Sequence, residues 1–513
     1  MANTKQYLIG LDIGTSGAKC IIVDECGIVV ASSTQEYPLY TPRAGWAEQN
    51  PKDWWDAIVR GCGAIMKRAQ IDPALIKGVS LSGQMHGLVA LDAGRNVIRP
   101  SILWCDGRTQ DQCDWVTAKA GGPEGLLRYT NNAMLPGYTG GKVIWLRDVE
   151  PENFAKMEIF CCPKDYIRMQ LTGEVATDVS DASGTGFFNT KTREWSDELI
   201  ALCGLPKDIF PVALESTALA GHITKEAAAL TGLPEGLNVY AGGGDAVIQT
   251  TGAGLVRPGI LGVVIGTAGN VAMGLRGYTD NPKGSLQMFC NNGPSLWHAL
   301  GCTQAAGGAY RWYRDTLNEH HVTAANAGEG NVYDLMGKEA AQSVPGAHGT
   351  IFLPYMSGER CPHSDANARG VFYGLSLSTS RADITRSVME GVTYSLRQIV
   401  DLIGALGKPE KVYTSGGGSV SALWRQMQAD IFDLPVYTMS AASEGGAYGA
   451  VLVAGVGAGV WKDLDEAAGV LRVETETLPN RENQKGYADA FEVYSALYGQ
   501  LKPVYDKGAA LGM

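Results

Sequence analysis

The sequence lacks several features that mark common classes of protein. Its eleven cysteines include no C-x-x-C pair, so neither a zinc site nor a thioredoxin-like motif is indicated. Reduced thiols in the cytoplasm are therefore expected. No unbroken apolar run reaches the roughly 18 residues of a transmembrane helix. The segment before Asp12 has one lysine and a short apolar run, which does not fit a signal peptide.

Basic charge is also scarce, with 42 Lys and Arg against 53 Asp and Glu and a formal net charge of −11. Nucleic acids and anionic membranes need a basic surface, so neither is expected as a partner. The chain has no Walker A loop, since no Gly-Lys is followed by Ser or Thr, and it lacks the protein-kinase motifs. It also has no Rossmann fingerprint with a matching acidic residue, which argues against an NAD-dependent oxidoreductase. If ATP binds, another architecture must hold it.

Size and composition predict a globular protein of two domains, and the alternation of strand and helix patterns predicts an α/β fold with mixed sheets. Hydrophobic residues make up 45% of the 513 residues and charged residues 19%, as in ordinary globular proteins. One hydrophobic core rarely serves so long a chain, so we expect domains at 1–250 and 251–513, with a central cleft between them as the first place for a site. Asn50 and Pro51 predict the start of a helix. The aromatic stripe at 483–506 predicts a terminal helix.

A strand-turn-strand pattern that occurs twice is the most informative regularity. YLIGLDI at 7–13 and KCIIVD at 19–24 predict two strands around a turn that begins at Gly14. The segment 261–275 repeats this pattern around Gly266, 252 positions further along the chain. The repeat predicts two related halves, each opening with a hairpin whose tip faces the shared cleft.

Three glycine-rich turns have the composition of a nucleotide site. Glycine leaves backbone N–H groups accessible at close range, and adjacent hydroxyls add donors. The candidates for the phosphates are Gly14, Thr15, Ser16, Gly266 and Thr267. The candidates for the adenosine, which follow the predicted strand 411–414, are Gly416, Gly417, Gly418 and Ser419. Taken singly, each segment also fits an ordinary tight turn.

Two aspartates stand where a carboxylate needs a role. Asp12 lies inside an apolar run, where an unpaired carboxylate is costly, and a water-bridged Mg²⁺ would account for it. Asp245 follows three glycines after the predicted strand 239–241 and can serve as general base on a sugar hydroxyl, beside the same Mg²⁺. Gly-Gly-Gly-Asp is equally compatible with a turn that has no catalytic role.

The candidate sugar site combines polar and apolar groups from two loops. Gln84, Met85 and His86 supply an amide, a thioether and an imidazole, and Trp104 and Asp106 follow a second strand. Sugar sites join apolar faces to convergent hydrogen-bonding groups. A single histidine is more often structural, and it is the neighbours of His86 that favour a binding role.

These segments together resemble the FGGY family of carbohydrate kinases, and within it most closely the xylulokinases. The resemblance covers nearly the whole chain. Its motifs are YLIGLDIGTSGAK (7–19), WAEQNPKDWW (46–55), SGQMHG (82–87), ILWCDGR (102–108), SDASGTGF (180–187), AGGGDA (241–246), IGTAG (265–269), LPYMSGERCPH (353–363) and SGGGS (415–419). SGQMHG and W-x-D-G-R separate the xylulokinase group from glycerol kinases.

The resemblance implies two actin-like (RNase H-like, ASKHA) domains that bind ATP, Mg²⁺ and a sugar. By this likeness, the N-terminal domain binds the sugar and the C-terminal domain binds ATP. Asp245 corresponds to the general base, Asp12 to the aspartate near the metal, and Met85 and His86 to the ketose contacts. The implied reaction transfers the γ-phosphoryl group of ATP to the 5-hydroxyl of D-xylulose.

Three positions depart from the family pattern and leave alternatives open. Ala246 stands where xylulokinases commonly carry Asn, so a contact to the sugar is missing, and another ketose or polyol such as ribulose is the alternative substrate. Ala268 and Cys361 replace a common Ser and a common Thr. A nucleotide-driven sensor or chaperone of the same fold is a further alternative, but it gives the 84–86 loop no purpose. The sequence leaves the oligomeric state open, with a homodimer among the arrangements it allows.

Overall fold

The computed structural model describes residues 5–281, 284–440 and 444–512. The chain divides into two compact units. The first consists of Met1–Arg257, Gly274–His298 and Ala441–Arg472, and the second of Pro258–Met273, Ala299–Ser440 and Val473–Met513. The division into domains at 1–250 and 251–513 stays a prediction, and its end residues 1–4 and 513 lie outside the described residues.

Strands and helices alternate along much of the chain, as predicted for an α/β protein. The strands are β1 (Tyr7–Ile13), β2 (Gly17–Asp24), β3 (Val29–Glu36), β4 (Glu48–Gln49), β5 (Ile76–Gly83), β6 (Val89–Leu91), β7 (Ser101–Ile102), β8 (Ile159–Cys161), β9 (Thr177–Asp178), β10 (Phe188–Asn189), β11 (Glu194–Trp195), β12 (Ala213–Leu214), β13 (Leu219–His222), β14 (Asn238–Tyr240), β15 (Gly243–Gly244), β16 (Ile260–Ile265), β17 (Gly269–Arg276), β18 (Gln287–Cys290), β19 (Leu296–Thr303), β20 (Ile351–Leu353), β21 (Val371–Tyr373), β22 (Lys411–Gly416), β23 (Val436–Met439) and β24 (Val473–Thr477).

The helices are α1 (Pro51–Ala69), α2 (Gln110–Lys119), α3 (Pro123–Thr130), α4 (Thr139–Val149), α5 (Pro151–Lys156), α6 (Pro163–Thr172), α7 (Val179–Ser183), α8 (Asp197–Leu202), α9 (Lys225–Thr231), α10 (Asp245–Gly252), α11 (Gly307–Leu317), α12 (Glu319–Asn326), α13 (Val332–Ala340), α14 (Arg381–Gly404), α15 (Ala422–Phe432), α16 (Gly445–Gly457), α17 (Leu464–Ala468) and α18 (Arg481–Ala510). Within the described residues we find no helix with the length and hydropathy to cross a bilayer.

The main sheet of the first unit is mixed and brings three strand ends together. Its order is β13-β14-β5-β1-β2-β3, and β15 also pairs with β5. β1 runs antiparallel to β2 and parallel to β5, and β15 is parallel to β5 as well. Parallel strands end at the same edge of a sheet. The segments that follow β1, β5 and β15 therefore meet at one edge.

Helix α16 lies against the first sheet at very close range. A Cβ added to Gly10 on β1 would stand 1.9 Å from the carbonyl oxygen of Ala447. A side chain at position 10 would push the helix off the sheet, so glycine is required there. A Cβ added to Gly446 would stand 2.9 Å from Asp12 Oδ1, so the start of α16 also lies beside the carboxyl end of β1.

The second unit repeats the strand arrangement of the first. β16 is antiparallel to β17 and parallel to β22, as β1 is to β2 and β5. β22 continues to β23 in parallel, and β23 pairs with β24 antiparallel. Both predicted hairpins are thus confirmed, and each has a parallel strand on the same side. In the second unit, this pairing places Ile265 on β16 opposite Gly416 on β22.

Candidate active site

Asp12 lies on β1 among groups that hold its carboxylate in place. In the strand register it stands opposite Lys19 on β2 and beside Ser82 on β5. The Ser82 hydroxyl donates to Asp12 Oδ1 at 2.6 Å, and Lys19 forms an ion pair with Glu444 at 2.7 Å. Burial raises the pKa of Asp12, while the Ser82 hydrogen bond and the Lys19 charge oppose the rise. The raised pKa means that the site favours either a protonated Asp12 or a cation beside its carboxylate.

Asp245 begins helix α10, directly after the short strand β15. Burial raises the pKa of Asp245 to about 7, and the nearby charge of Asp12 adds to the rise. The backbone N–H groups of Ala246 and Met85 donate to the Asp245 carboxylate and oppose it. A carboxylate that titrates near neutrality can accept a proton from a substrate hydroxyl.

Behind Asp245, a buried network of charges holds β15. The N–H of Gly244 donates to Ser180 Oγ at 3.0 Å, and Ser180 Oγ donates to Asp178 at 2.6 Å. Lys164 pairs with Asp178 at 2.9 Å and with Asp165 at 2.6 Å. A buried ion pair serves best when further hydrogen bonds satisfy it, as the serine does here. The network fixes the backbone from which Asp245 projects.

The loop between β5 and β6 places Met85 and His86 next to Asp245. His86 has a left-handed backbone with φ 70°, and its Nδ1 lies 2.7 Å from the carbonyl oxygen of Gly184. Its ring stacks on Tyr138 with centroids 4.6 Å apart. The Met85 side chain reaches β15, because a Cβ at Gly244 would stand 2.5 Å from Met85 Cγ. The predicted ketose contacts and the predicted base are thus brought together.

Amide side chains hold the first glycine turn in place through hydrogen bonds. Gln84 is buried, and its Nε2 donates to Gln49 Oε1 at 2.9 Å, while Gln49 Nε2 donates to the carbonyl oxygen of Thr15 at 2.8 Å. The half-exposed Trp104 donates its indole N–H to Thr15 Oγ1 at 2.9 Å. Gln84 therefore supports the turn of Gly14, Thr15 and Ser16, and its direct contact to a sugar stays a prediction.

The hydrogen bonds of Asp106 go to other residues than those of the 84–86 loop. Its carboxylate is buried and accepts from the backbone N–H of Ala47 at 2.6 Å and from the Arg108 guanidinium at 2.7 Å and 2.8 Å. Arg108 in turn stacks over Trp46 at 3.5 Å from the ring centroid. The Asp106 oxygens are therefore used to build the loop that carries Trp104. A direct sugar contact from Asp106 stays a prediction.

In the second unit, the other glycine turns line one cavity of about 430 Å³. Its lining is Ile265, Gly266, Thr267, Gly307, Tyr310, Arg311, Asn331, Tyr333, Asp334, Met389, Gly417, Gly418, Val420, Ser421 and Trp424. Tyr310 stacks with Tyr333 and meets Trp424 edge-on, with centroids 5.7 Å and 5.2 Å apart. Aromatic faces beside open glycine backbone suit a purine nucleotide.

The remaining two predicted adenosine residues shape the turn beside this cavity. Gly416 has φ 79°, and a Cβ there would stand 2.7 Å from the carbonyl oxygen of Ile265. Ser419 Oγ donates to the carbonyl oxygen of Gly416 at 2.8 Å. Both residues close the turn, while Gly417 and Gly418 form the cavity wall.

Sequence reasoning missed the residues that hold the site segments in place through hydrogen bonds and ion pairs. They are Lys19, Gln49, Ser82, Lys142, Lys164, Ser180 and Glu444. Only Lys142 carried a local signal, since a charge stands inside the apolar stretch TGGKVIWL. The others depend on long-range pairing that no short pattern reveals.

The chain matches two family models that together cover most of its length. The model of the FGGY family of carbohydrate kinases, N-terminal domain, matches residues 7–252, and the C-terminal domain model matches residues 261–458. The chain belongs to the FGGY family of carbohydrate kinases. It is therefore a phosphotransferase that moves a phosphoryl group from ATP to a sugar hydroxyl.

The individual relatives are more specific. The chain is 37% identical to the xylulose kinase of Bacillus subtilis over 500 residues, 97% of each chain. The crystal structure of xylulose kinase from Rhodospirillum rubrum matches with a TM-score of 0.90 and 31% identity, covering 98% of this chain and 100% of that one. A gluconate kinase from Lactobacillus acidophilus also matches with a TM-score of 0.90, at 27% identity, covering 98% of this chain and all of that one. The fold predicted from the sequence, two α/β domains with mixed sheets, is confirmed.

Proposed function

We propose that this chain transfers the γ-phosphoryl group of ATP to the 5-hydroxyl of D-xylulose. The observation that carries the proposal is the carboxylate of Asp245, which has its pKa raised to about 7 and stands beside the Met85-His86 loop. The full-length similarity to xylulose kinases supports the choice of sugar.

In the proposed mechanism Asp245 acts as the general base. Its carboxylate accepts the proton of the 5-hydroxyl as that oxygen attacks the γ-phosphorus, and the bond from the γ-phosphorus to the β,γ-bridging oxygen of ATP breaks to release ADP. Met85 and His86 position the ketose. No phosphoenzyme is needed, since the acceptor hydroxyl attacks directly.

The residues around Asp12 fit a magnesium ion. Asp12 and Asp245 offer hard carboxylate oxygens, the ligand type that Mg²⁺ prefers, and the charge of Asp12 raises the cost of ionising Asp245. Ser82 holds one oxygen of Asp12 at 2.6 Å and leaves the second for a water of the ion. When bound, Mg²⁺ would neutralise charge on the phosphate oxygens. Asp12 is the proposed holder, through water, with Asp245 nearby.

The nucleotide is assigned to the cavity of the second unit. We place the adenosine against Gly417 and Gly418 and the phosphates at the Gly266-Thr267 turn. The turn of Gly14, Thr15 and Ser16 in the first unit is the second proposed phosphate site. Backbone N–H groups bind phosphate without a side chain, so Ala268 in place of Ser is compatible with this role.

The reaction is placed in the cytoplasm, where ATP is made and where free thiols persist. All eleven cysteines are free thiols. Binding to nucleic acid is not expected for a chain of net charge −11. A homodimer is the proposed assembly, and sedimentation of the purified chain tests it.

The specific observation in favour of another substrate, such as ribulose or a polyol, is Ala246. It occupies the second position of α10 and presents a methyl group beside Asp245, where Asn is common in the resembling kinases. Another pentulose or a polyol would fit a site that lacks this amide.

A coupled ADP-release assay with a substrate panel tests the proposal. The panel contains D-xylulose, D-ribulose, a hexulose, glycerol and gluconate, and the enzymes are the native chain and Ala246→Asn. We expect kcat/KM to be at least about 10-fold higher for D-xylulose than for the others. A substrate that loses one polar contact to its site is usually discriminated against by a factor of this size or more. Equal or higher kcat/KM for another compound would replace D-xylulose as the substrate.

A further inference from the structure

Lys142 is a buried lysine beneath the loop between β5 and β6. It lies on α4 with no exposed surface, and its Nζ donates to the carbonyl oxygens of His86 at 2.6 Å and Gly137 at 2.7 Å. Among the described residues, no carboxylate lies within ion-pair distance of Lys142. Lysine is rarely buried without a carboxylate partner. The hydrogen bonds of the ammonium group therefore go to two loop carbonyl oxygens.

One of these carbonyls belongs to the loop that holds Asp245. The backbone N–H of Met85 donates to the Asp245 carboxylate. The next residue, His86, has φ 70°, a left-handed conformation that is strained for a side chain with a Cβ. Such a conformation persists only where its surroundings determine it, and the bond from Lys142 to the His86 carbonyl is one such contact.

We propose that Lys142 is a positioning residue for phosphoryl transfer, because its ammonium holds the His86 carbonyl and thereby aims the Met85 N–H at Asp245 and the imidazole at the sugar. The inference rests on the proposed function of Asp245 and of the Met85-His86 loop. Without the ammonium, the turn that carries Met85 and His86 loses a support, so both side chains lose their fixed position. Sugar binding then weakens, while ATP binding is kept.

The groups facing Lys142 come from several elements. Burial lowers the pKa of Lys142 to about 7, while Asp106 and the thiols of Cys162, Cys105 and Cys113 oppose the fall. Asp106 already pairs with Arg108, so it does not serve as a dedicated partner. Removal of the lysine thus takes the ammonium donor away from the carbonyls of His86 and Gly137.

Steady-state kinetics of Lys142→Met and Lys142→Gln test the proposal. Methionine keeps the length and removes every donor, while glutamine keeps an N–H donor. Lys156→Met, an exposed lysine at the end of α5 in the same unit, is the matched control. The measurements are KM for D-xylulose and for ATP, kcat/KM for each, and the melting temperature.

Lys142→Met is expected to raise KM for D-xylulose and lower kcat/KM by about 100-fold, the scale of a small misplacement at a reacting group. KM for ATP should stay within about two-fold. Lys142→Gln should fall between this variant and the native chain. A purely structural role would lower the melting temperature and leave KM for D-xylulose near the native value.

Two results would overturn the proposal: Lys142→Met kinetics within two-fold of native, or equal increases in both KM values. If Lys142→Met does not fold, Gly184→Ala decides, because its Cβ would stand 2.5 Å from the His86 ring. An unchanged KM for D-xylulose in Gly184→Ala would count against the role of the loop. Failure of the proposed function itself shows earlier, as a native chain without xylulose-dependent ADP release.

Discussion

At the scale of single residues, the surroundings of Asp245 set the pH range in which a base can act. Burial and the charge of Asp12 raise the pKa of Asp245 to about 7, against the hydrogen bonds from Met85 and Ala246. Only the ionised carboxylate accepts a proton, so kcat/KM should rise with pH through about 7 and then level. A profile that is flat from pH 5.5 to 8 would contradict this role for Asp245.

Asp245→Asn should lower kcat by about 10²–10⁴-fold, the usual contribution of a general base. The amide has nearly the same shape, so ATP binding measured by calorimetry should persist. Asp208→Asn, at an exposed position in the same unit, is the matched control and should keep native kcat. Full turnover by Asp245→Asn would remove Asp245 from the mechanism.

The same aspartate should reduce stability where the enzyme works best. Its folded pKa is raised above the usual value for Asp, so the folded state loses stability as pH rises from about 4 through about 7. Asparagine mimics the neutral acid. Asp245→Asn should therefore raise the melting temperature by about 2 °C at pH 8 and by less than half as much at pH 5. An equal shift at both pH values would point to packing rather than charge.

Single residues also mark what could be predicted from the sequence. Asp12 stood out because a carboxylate interrupted an apolar strand, and Asp245 because three glycines preceded it. Gln49 and Ser180 did not, since their partners Thr15 and Gly244 lie 34 and 64 positions away. A short polar side chain acquires such a role only through tertiary contacts.

At the scale of elements, the glycine turns work through close backbone approach. A Cβ at Gly418 would stand 2.6 Å from Ile265 Cβ, the residue that precedes the Gly266 turn. Side-chain bulk at this point moves the two walls of the cavity apart. The predicted strands here were reliable because apolar runs and glycines are local signals.

Gly418→Ala should raise KM for ATP by about 10-fold or more while KM for D-xylulose stays near native. A misplacement of the turn by a fraction of an ångström changes the phosphate contacts. Gly499→Ala, on helix α18 with open space around it, is the control and should increase stability by about 0.5–1 kcal/mol. Equal changes in both KM values would show that position 418 affects more than the nucleotide site.

Helix α10 shows where local patterns were insufficient. The run Gly-Gly-Gly-Asp fitted a turn, yet Asp245 is the first residue of a helix with Gly244 as its N-cap. Glycine has a low helix propensity, so the sequence before Asp245 gave no helical signal. The helix starts there because Gly243 and Gly244 pair with β5 and end the strand at that point.

At the scale of the whole molecule, the proposed sugar groups lie in one unit and the proposed adenosine groups lie in the other. The repeat of 252 positions predicted two hairpins, and both are present with a parallel neighbour on the same side. The proposed sugar groups Met85 and His86 lie in the first unit, and the cavity with Gly417 and Gly418 lies in the second. Substitutions in the sugar loop or in the adenosine cavity should therefore affect one ligand each.

Thermal shift measurements with each ligand alone test this separation. A ligand at about 100 times its Kd stabilises the state that binds it by about 2.7 kcal/mol, which raises the melting temperature measurably. Gly418→Ala should lose most of the shift with ATP and keep the shift with D-xylulose, and Gly184→Ala should do the reverse. Asp245→Asn should keep the ATP shift, because the base does not touch the adenosine. If Gly418→Ala lost both shifts together, binding of the two ligands would depend on one shared element, and the assignment of the adenosine alone to the Gly417-Gly418 cavity would be wrong.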